Sequence, residues 1–251
     1  FLLHSLQMTY SLISMLFLWL MDSQIMPFII VGISSSLSVI PLAMTNIVSP
    51  CVEEPTTLNL FTMFKTTMSG VLACFTSGLI LSAVYGLFPL FLIDKTQDHS
   101  SVGVFMFTII LGGMLLQYPV GKISDFIERR LVLIILSILS GFFAALILFS
   151  VNYYWSFMIS TFIFGGLVFT LYPVSISHSC DSLKQRDIIS GTQALLLFYS
   201  IGAVIGPMLG ALFMKYLGAD GLFVYFGTLA CMLTLFLCWR KTAKADVQRD
   251  D

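Results

Sequence analysis

Charge is the scarcest thing in this sequence. Of its 251 residues only 10% are Asp, Glu, Lys or Arg, where a soluble domain carries about 25%, so water cannot be its main solvent. Catalytic signatures are missing as well. There is no His-Glu-x-x-His zinc motif, no Gly-x-Ser-x-Gly nucleophile elbow and no pair of Asp residues inside an apolar run. Hydrolysis within a membrane would lack its reacting groups. The cysteines Cys51, Cys74, Cys180, Cys231 and Cys238 show no zinc or haem spacing and read as buried small hydrophobes. No metal, cofactor or enzymatic activity is expected. No Walker phosphate loop is present either, so ATP-driven pumping by this chain is not expected.

Apolar residues fill the space that charge leaves. They make up 58% of the chain, and they fall into eight runs, at about 2–20, 25–45, 68–92, 102–120, 131–150, 154–177, 190–213 and 222–239. Each is long enough to span a bilayer, which takes roughly 20 residues of helix. The runs are apolar all round, as in Leu131 to Phe149, whereas barrel strands alternate. The expectation is an all-α, polytopic membrane protein with about eight transmembrane helices. It begins at Phe1 inside an apolar run with no basic region ahead, which reads as an N-terminally truncated chain rather than a signal peptide.

The lysines and arginines orient the spans. With the C-terminal tail inside, Lys65, Lys122, Arg129, Arg130, Lys184, Arg186, Arg240, Lys241, Lys244 and Arg249 lie on the cytoplasmic side, leaving only Lys95 and Lys215 outside. That is the positive-inside bias of short loops, and it predicts a multi-pass protein of the cell (inner) membrane with both ends cytoplasmic. Trp19, Tyr153, Tyr154 and Trp155 mark an outer aromatic belt. The net charge of −1 says little about partners, because in a membrane protein the distribution of charge matters more than its sum. Membrane lipid and a small solute are the expected partners, without nucleic acid, and the chain is expected to be a monomer. Residues 1–45 hold two spans, 46–67 a linker with Pro50, Glu53, Glu54 and Pro55, 68–239 six spans, and 240–251 a tail. Within the linker, Leu58, Phe61 and Phe64 have helical spacing that would suit a surface helix; an irregular loop fits as well.

The most specific signal is Gly121-Lys122-Ile123-Ser124-Asp125-Phe126-Ile127-Glu128-Arg129-Arg130, set between two spans on the inside. Gly121 suits a tight turn, and Ser124 or Asp125 can cap the helix that follows. The segment resembles the Gly-x-x-x-Asp-Arg-x-x-Arg-Arg loop that joins the second and third helices of each half in the major facilitator superfamily, with Phe126 in place of the first Arg. Here it joins the second and third spans after the linker. The resemblance implies a helical bundle of that type, in which residues 1–45 would be the last two helices of the N-terminal half and 68–239 the six of the C-terminal half. It also implies that Gly121, Asp125, Arg129 and Arg130 form a conformational latch, with Asp125 bonded to the neighbouring half only when the cytoplasmic gate is closed. The bland alternative is a helix cap with topology-setting arginines.

A second stretch, Gly202-Ala203-Val204-Ile205-Gly206-Pro207-Met208-Leu209-Gly210, places small residues four apart, which lets helices approach closely, and Pro207 can kink the span. It resembles a motif of antiporters in that superfamily, although there it lies in the first half, so helix packing is the reading kept here. Within the superfamily the chain is similar to the bacterial YcaD-like transporters, through Ser77-Gly78, Tyr85-Gly86 and Pro89, Gly166 to Tyr172-Pro173 running into His178 and Asp181, and Leu195 to Leu197 with Gly202 and Gly206.

Transport by alternating access, with proton-coupled efflux as one form of it, is the implied function; a non-transporting sensor on the same scaffold is the alternative. No charge sits at the middle of any span, so a coupling acid would lie in further helices, His178 would serve, or transport would be uncoupled. Asp181, three residues past His178, could pair with it and make a pH-sensitive gate; a hydrated interfacial His is the plainer alternative. Substrate-binding or gating candidates are the remaining midspan polar residues Gln7, Tyr10, Tyr85, Gln117, Tyr172, Gln193 and Tyr199, together with His178 and Asp181. Their uncharged, aromatic character suits a neutral or amphipathic solute.

Overall fold

The computed structural model describes residues 67–96 and 99–247, with isolated helical residues at 29, 32, 33 and 36, and gives their side chains except at 99–100 and 241–247. Apart from those four residues, the expected spans at 2–20 and 25–45 lie outside this range. So do the linker up to its last residue, and Gln7 and Tyr10.

Among the described residues, six helices are long and apolar enough to cross a membrane and there is no strand. They are α1 (Met68–Thr96), α2 (His99–Phe126), α3 (Arg129–Ser150), α4 (Tyr154–Cys180), α5 (Ile188–Leu217) and α6 (Gly221–Val247). A 3-10 turn at Gln185–Asp187 leads into α5. In hydrocarbon every backbone group needs a partner within its own segment, which is why the apolar runs become helices. All six run past their apolar limits into polar residues at one or both ends. The expected loop at 121–130 shrinks to Ile127 and Glu128, because α2 continues through Lys122 and Asp125 and Ile127 N–H still donates to Ile123 O at 3.1 Å. Gly121 therefore sits in a helix interior and makes no turn. A glycine there costs about 1 kcal/mol relative to Ala, too little to end a helix flanked by packed turns. Neither Ser124 nor Asp125 caps α3; the N-cap position falls to Glu128, without a side-chain cap bond. Pro207 does not interrupt α5, which is unbroken from Ile188 to Leu217.

Packing follows an internal pattern. α1 lies along α5 and α2 along α4, while α3 packs on α6 and α1 on α4. Exchanging the first three helices with the last three turns each of these pairings into another of them or into itself. The two long crossings are made by glycine. A Cβ on Gly78 would run into Tyr199 O, on Gly202 into Phe75 O, and on Gly206 into Leu79 O and Ser82 Oγ; on the other pair, Gly112 lies against Phe162 O and Gly165 against Ile109 O. Backbones thus meet without side chains between them, the association mode that works where lipid supplies no hydrophobic drive.

Hydroxyls buried in these helices are mostly spoken for. Ser77 donates to Cys74 O at 2.8 Å, Thr170 to Gly166 O at 2.6 Å and Ser175 to Leu171 O at 2.6 Å, so each returns its proton to its own helix. Cys74 is buried as expected, but Cys231 and Cys238 are exposed on α6. At one end of the bundle, Phe91, Phe105, Phe157 and Phe223 form an aromatic cluster from α1, α2, α4 and α6, with centroids 4.4 Å apart for Phe105 and Phe157 and 4.8 Å for Phe91 and Phe223. Nearby, Lys95 Nζ bonds Asp220 at 2.8 Å, and Gly218, at φ +75°, makes the turn between α5 and α6, a conformation open to Gly at little cost. The opposite end carries Lys122, Arg129, Arg130, Lys184, Arg186 and Arg240.

Candidate functional site

Two groups of the expected residues come together. The first is at the arginine end. Asp125 is in the last turn of α2 and Arg129 opens α3, four residues on, so both fall on one side of the break between the helices. Arg129 Nη2 donates to Asp125 Oδ1 at 3.1 Å. Its Nη1 reaches across to α4, donating to Asp181 Oδ1 at 2.7 Å and to Ser177 O at 2.8 Å. One guanidinium fork therefore ties the α2–α3 break to the C-terminus of α4, where a cation also meets the negative end of the helix dipole. Asp181 thus has a partner, Arg129, that local spacing did not give it. Asp125 and Asp181 are both more than half exposed; such pairs contribute about 0–1 kcal/mol each, weak enough to break and remake.

Asp125 also borders a cleft of about 420 Å³ between α2 and α4, lined by Gln117, Gly121, Lys122, Thr170 and Ser177 among others. On the α2 wall Gln117 and Ser124 are both buried, with 6% and 4% of their surfaces exposed. Gly121 finds its place here, in the cleft wall rather than in a turn. Arg130, on the next position of α3, points elsewhere: it is buried, and its Nη2 donates to Ser69 Oγ of α1 at 3.3 Å.

The second group is aromatic and lies further along the bundle. Tyr172 of α4 and Tyr199 of α5 meet with ring centroids 4.6 Å apart, and Tyr85 of α1 sets its ring edge-on to Phe169 at 5.7 Å. The Tyr199 phenol is close enough to those of Tyr85 and Tyr172 to interact electrostatically with both. Tyr85 is 50% exposed, so the cluster presents one face outward from the six-helix unit. Gln193 is exposed on α5, and His178 is half-buried in the last turn of α4. Gly202, Gly206 and Gly210 face α1 and hold α5 against it, which fixes where Tyr199 stands.

Sequence reasoning did not reach the Ser177 carbonyl or the Arg129–Asp181 bond. The spacing of Asp125 and Arg129 announces a helical i, i+4 pair, but only the packing of α2 and α3 on α4 brings the third partner in.

A family model described as Major Facilitator Superfamily matches residues 70–250. Among curated proteins the chain is similar to the uncharacterized MFS-type transporter YcaD of Escherichia fergusonii, at 32% identity over 203 residues, covering 79% of this chain and 52% of that protein. Proteins of the same description from a strain of Escherichia coli and from Shigella flexneri are 30% identical over the same coverage. The chain spans about half the length of the curated relatives it matches.

Proposed function

Because the chain belongs to the Major Facilitator Superfamily, a family of multi-pass membrane transporters, we propose that it works as a secondary transporter of a small neutral or amphipathic solute, by alternating access. In this reading α1–α6 are the C-terminal six-helix half, the arginine end is cytoplasmic, and a partner half of six helices closes the other wall of the path. The sensor alternative has no observation in its favour, and the relatives bear the description of transporters.

One observation carries the proposal: a single Arg129 side chain joins Asp125, Asp181 and Ser177 O at the helix ends where the loop resembling the superfamily's motif stands. Bonds that exist in only one of two states bias the equilibrium between them by their differential free energy. Made, they hold the α2–α3 break against α4; broken, they free Asp125 and leave the cleft beside Gln117 open to widen. The tyrosines Tyr85, Tyr172 and Tyr199 supply the solute-facing surface, with stacking area and phenol hydrogen bonds but no fixed charge. Since no carboxylate lies midspan in α1–α6, coupling to protons, and with it uphill efflux, would draw on acids outside these helices or on His178.

The test is flux. In proteoliposomes with an imposed pH gradient, the chain together with its partner half is expected to move neutral and amphipathic solutes down or against that gradient, residues 1–251 alone are expected to move none, and in the complete transporter Asp125→Asn is expected to lower the rate about tenfold or more while shifting the inward/outward population. Unchanged rate and population in Asp125→Asn would remove the latch from the proposal. Solute-induced changes without flux of any solute would remove transport.

A further inference from the structure

The ion pairs among the described residues account for Arg129 and Arg186 but include neither Arg130 nor Arg240. Arg130, only 7% exposed, has its long bond to the neutral Ser69 hydroxyl and an enclosed Nε with no acceptor among the described residues. Arg240, in the last part of α6, has an enclosed Nη1 with no acceptor among the described residues. The two guanidinium groups are close enough to repel one another. Enclosed cationic N–H groups that lack acceptors and repel each other are costly, and a planar guanidinium fork matches a phosphate oxygen pair better than any neutral group.

A second, independent feature points the same way. Between α3 and α6 runs a groove of about 450 Å³, walled by Ile138, Gly141 and Phe142 on one side and Gly227, Ala230 and Leu235 on the other, with Ser137 and Thr234 among its few polar side chains. Ile138, Phe142 and Leu235 are exposed, so it opens sideways, towards lipid. Its near end at Ser137 lies about 10 Å from Arg130 along α3, by the rise of a helix, and Thr234 stands a similar distance from Arg240 on α6. A cationic pair about two helical turns beyond the near end of an apolar, laterally open groove has the layout of an amphiphile with an anionic head and hydrocarbon tails.

We propose that Arg130, Arg240 and the α3–α6 groove form a specific site for an anionic glycerophospholipid, its phosphate between the two arginines and one acyl chain along the groove. A zwitterionic lipid brings a cation next to two arginines and is disfavoured. Free phosphate shares the head chemistry but leaves the groove empty. The site is separate from the Arg129 cluster, which faces α4, and it braces α1, α3 and α6 where Arg130 reaches Ser69.

The experiment titrates the purified full chain in nonionic detergent with dioleoylphosphatidylglycerol, dioleoylphosphatidylcholine or inorganic phosphate, following bound lipid by native mass spectrometry and thermal unfolding. Phosphatidylglycerol is expected to bind at least about tenfold more tightly than phosphatidylcholine, and Arg240→Gln or Arg130→Gln to abolish that preference. If Arg130→Gln fails to fold, Arg240→Gln, at a less buried position on α6, decides. Gly227→Leu projects into the groove from a position where an added Cβ meets nothing within 4 Å; it is expected to weaken phosphatidylglycerol binding several-fold and leave inorganic phosphate unaffected. Equal binding of the two lipids, or retention of the preference in Arg240→Gln, would overturn the proposal. Unchanged phosphatidylglycerol binding in Gly227→Leu would reduce the site to an ion-binding pair and overturn the lipid assignment.

Discussion

At the end of the bundle that carries Lys95, phenylalanine rings from four helices meet one another; at the opposite end a single arginine, Arg129, spans two carboxylates and a carbonyl. The first contact is close packing, made of many small dispersion terms that are lost if rings separate even slightly. The second is a set of half-exposed polar bonds, individually weak and replaceable by water. Within one six-helix unit, rigidity is thus concentrated at one end and reversibility at the other. Under the proposed function, a transporter half that rocks as a body would use both: a fixed end to keep its helices in register, and an end whose contacts can be exchanged.

The largest break in this comparison should come from Phe223→Ala. Phe223 is buried and touches the rings of Phe88, Phe91, Phe164 and Phe226, and truncating such a ring costs about 3–5 kcal/mol; the fall should appear in the melting temperature and be the same at low and high salt. Gly206→Leu comes next. Its side chain would have to displace Leu79 O and Ser82 Oγ, overpacking the α1–α5 crossing at a cost of about 1–3 kcal/mol, read by the same melting assay and by loss of a cysteine cross-link engineered between the two helices. Smallest is Lys95→Met, which removes the bond to the half-exposed Asp220; the expected loss is about 0.5 kcal/mol, visible at low ionic strength and screened away at high salt. If Lys95→Met proved as damaging as Phe223→Ala, the Lys95 end would be held by charge and the contrast between the two ends would fail.

Different parts of this architecture were legible in the sequence to different degrees, for physical reasons. The six described spans follow from apolar length, because the bilayer fixes how long a helix must be. The α5 contact with α1 was readable in Gly202, Gly206 and Gly210, since small residues at a spacing of four make a flat helix face. Where α2 ends was not readable. Polarity rises at Lys122 and Asp125, which suggests a loop, but a helix leaving the membrane keeps its backbone bonds in water too, so composition marks the interface rather than the helix end. The clamp was half readable, with Asp125 and Arg129 one helical turn apart and Asp181 brought in by tertiary packing alone. Arg130 and Arg240 looked like topology-setting charges, and their enclosure depends on how α1, α3 and α6 converge.

Hydrogen–deuterium exchange on wild type and Arg129→Gln, in nanodiscs, tests the contrast between the two ends most directly and requires no knowledge of the solute. The account predicts that Arg129→Gln raises exchange severalfold in residues 121–130 and 177–188, while residues 88–96 and 217–226 stay as protected as in the wild type. Exchange unchanged at the arginine end, or raised equally at both ends, would contradict it.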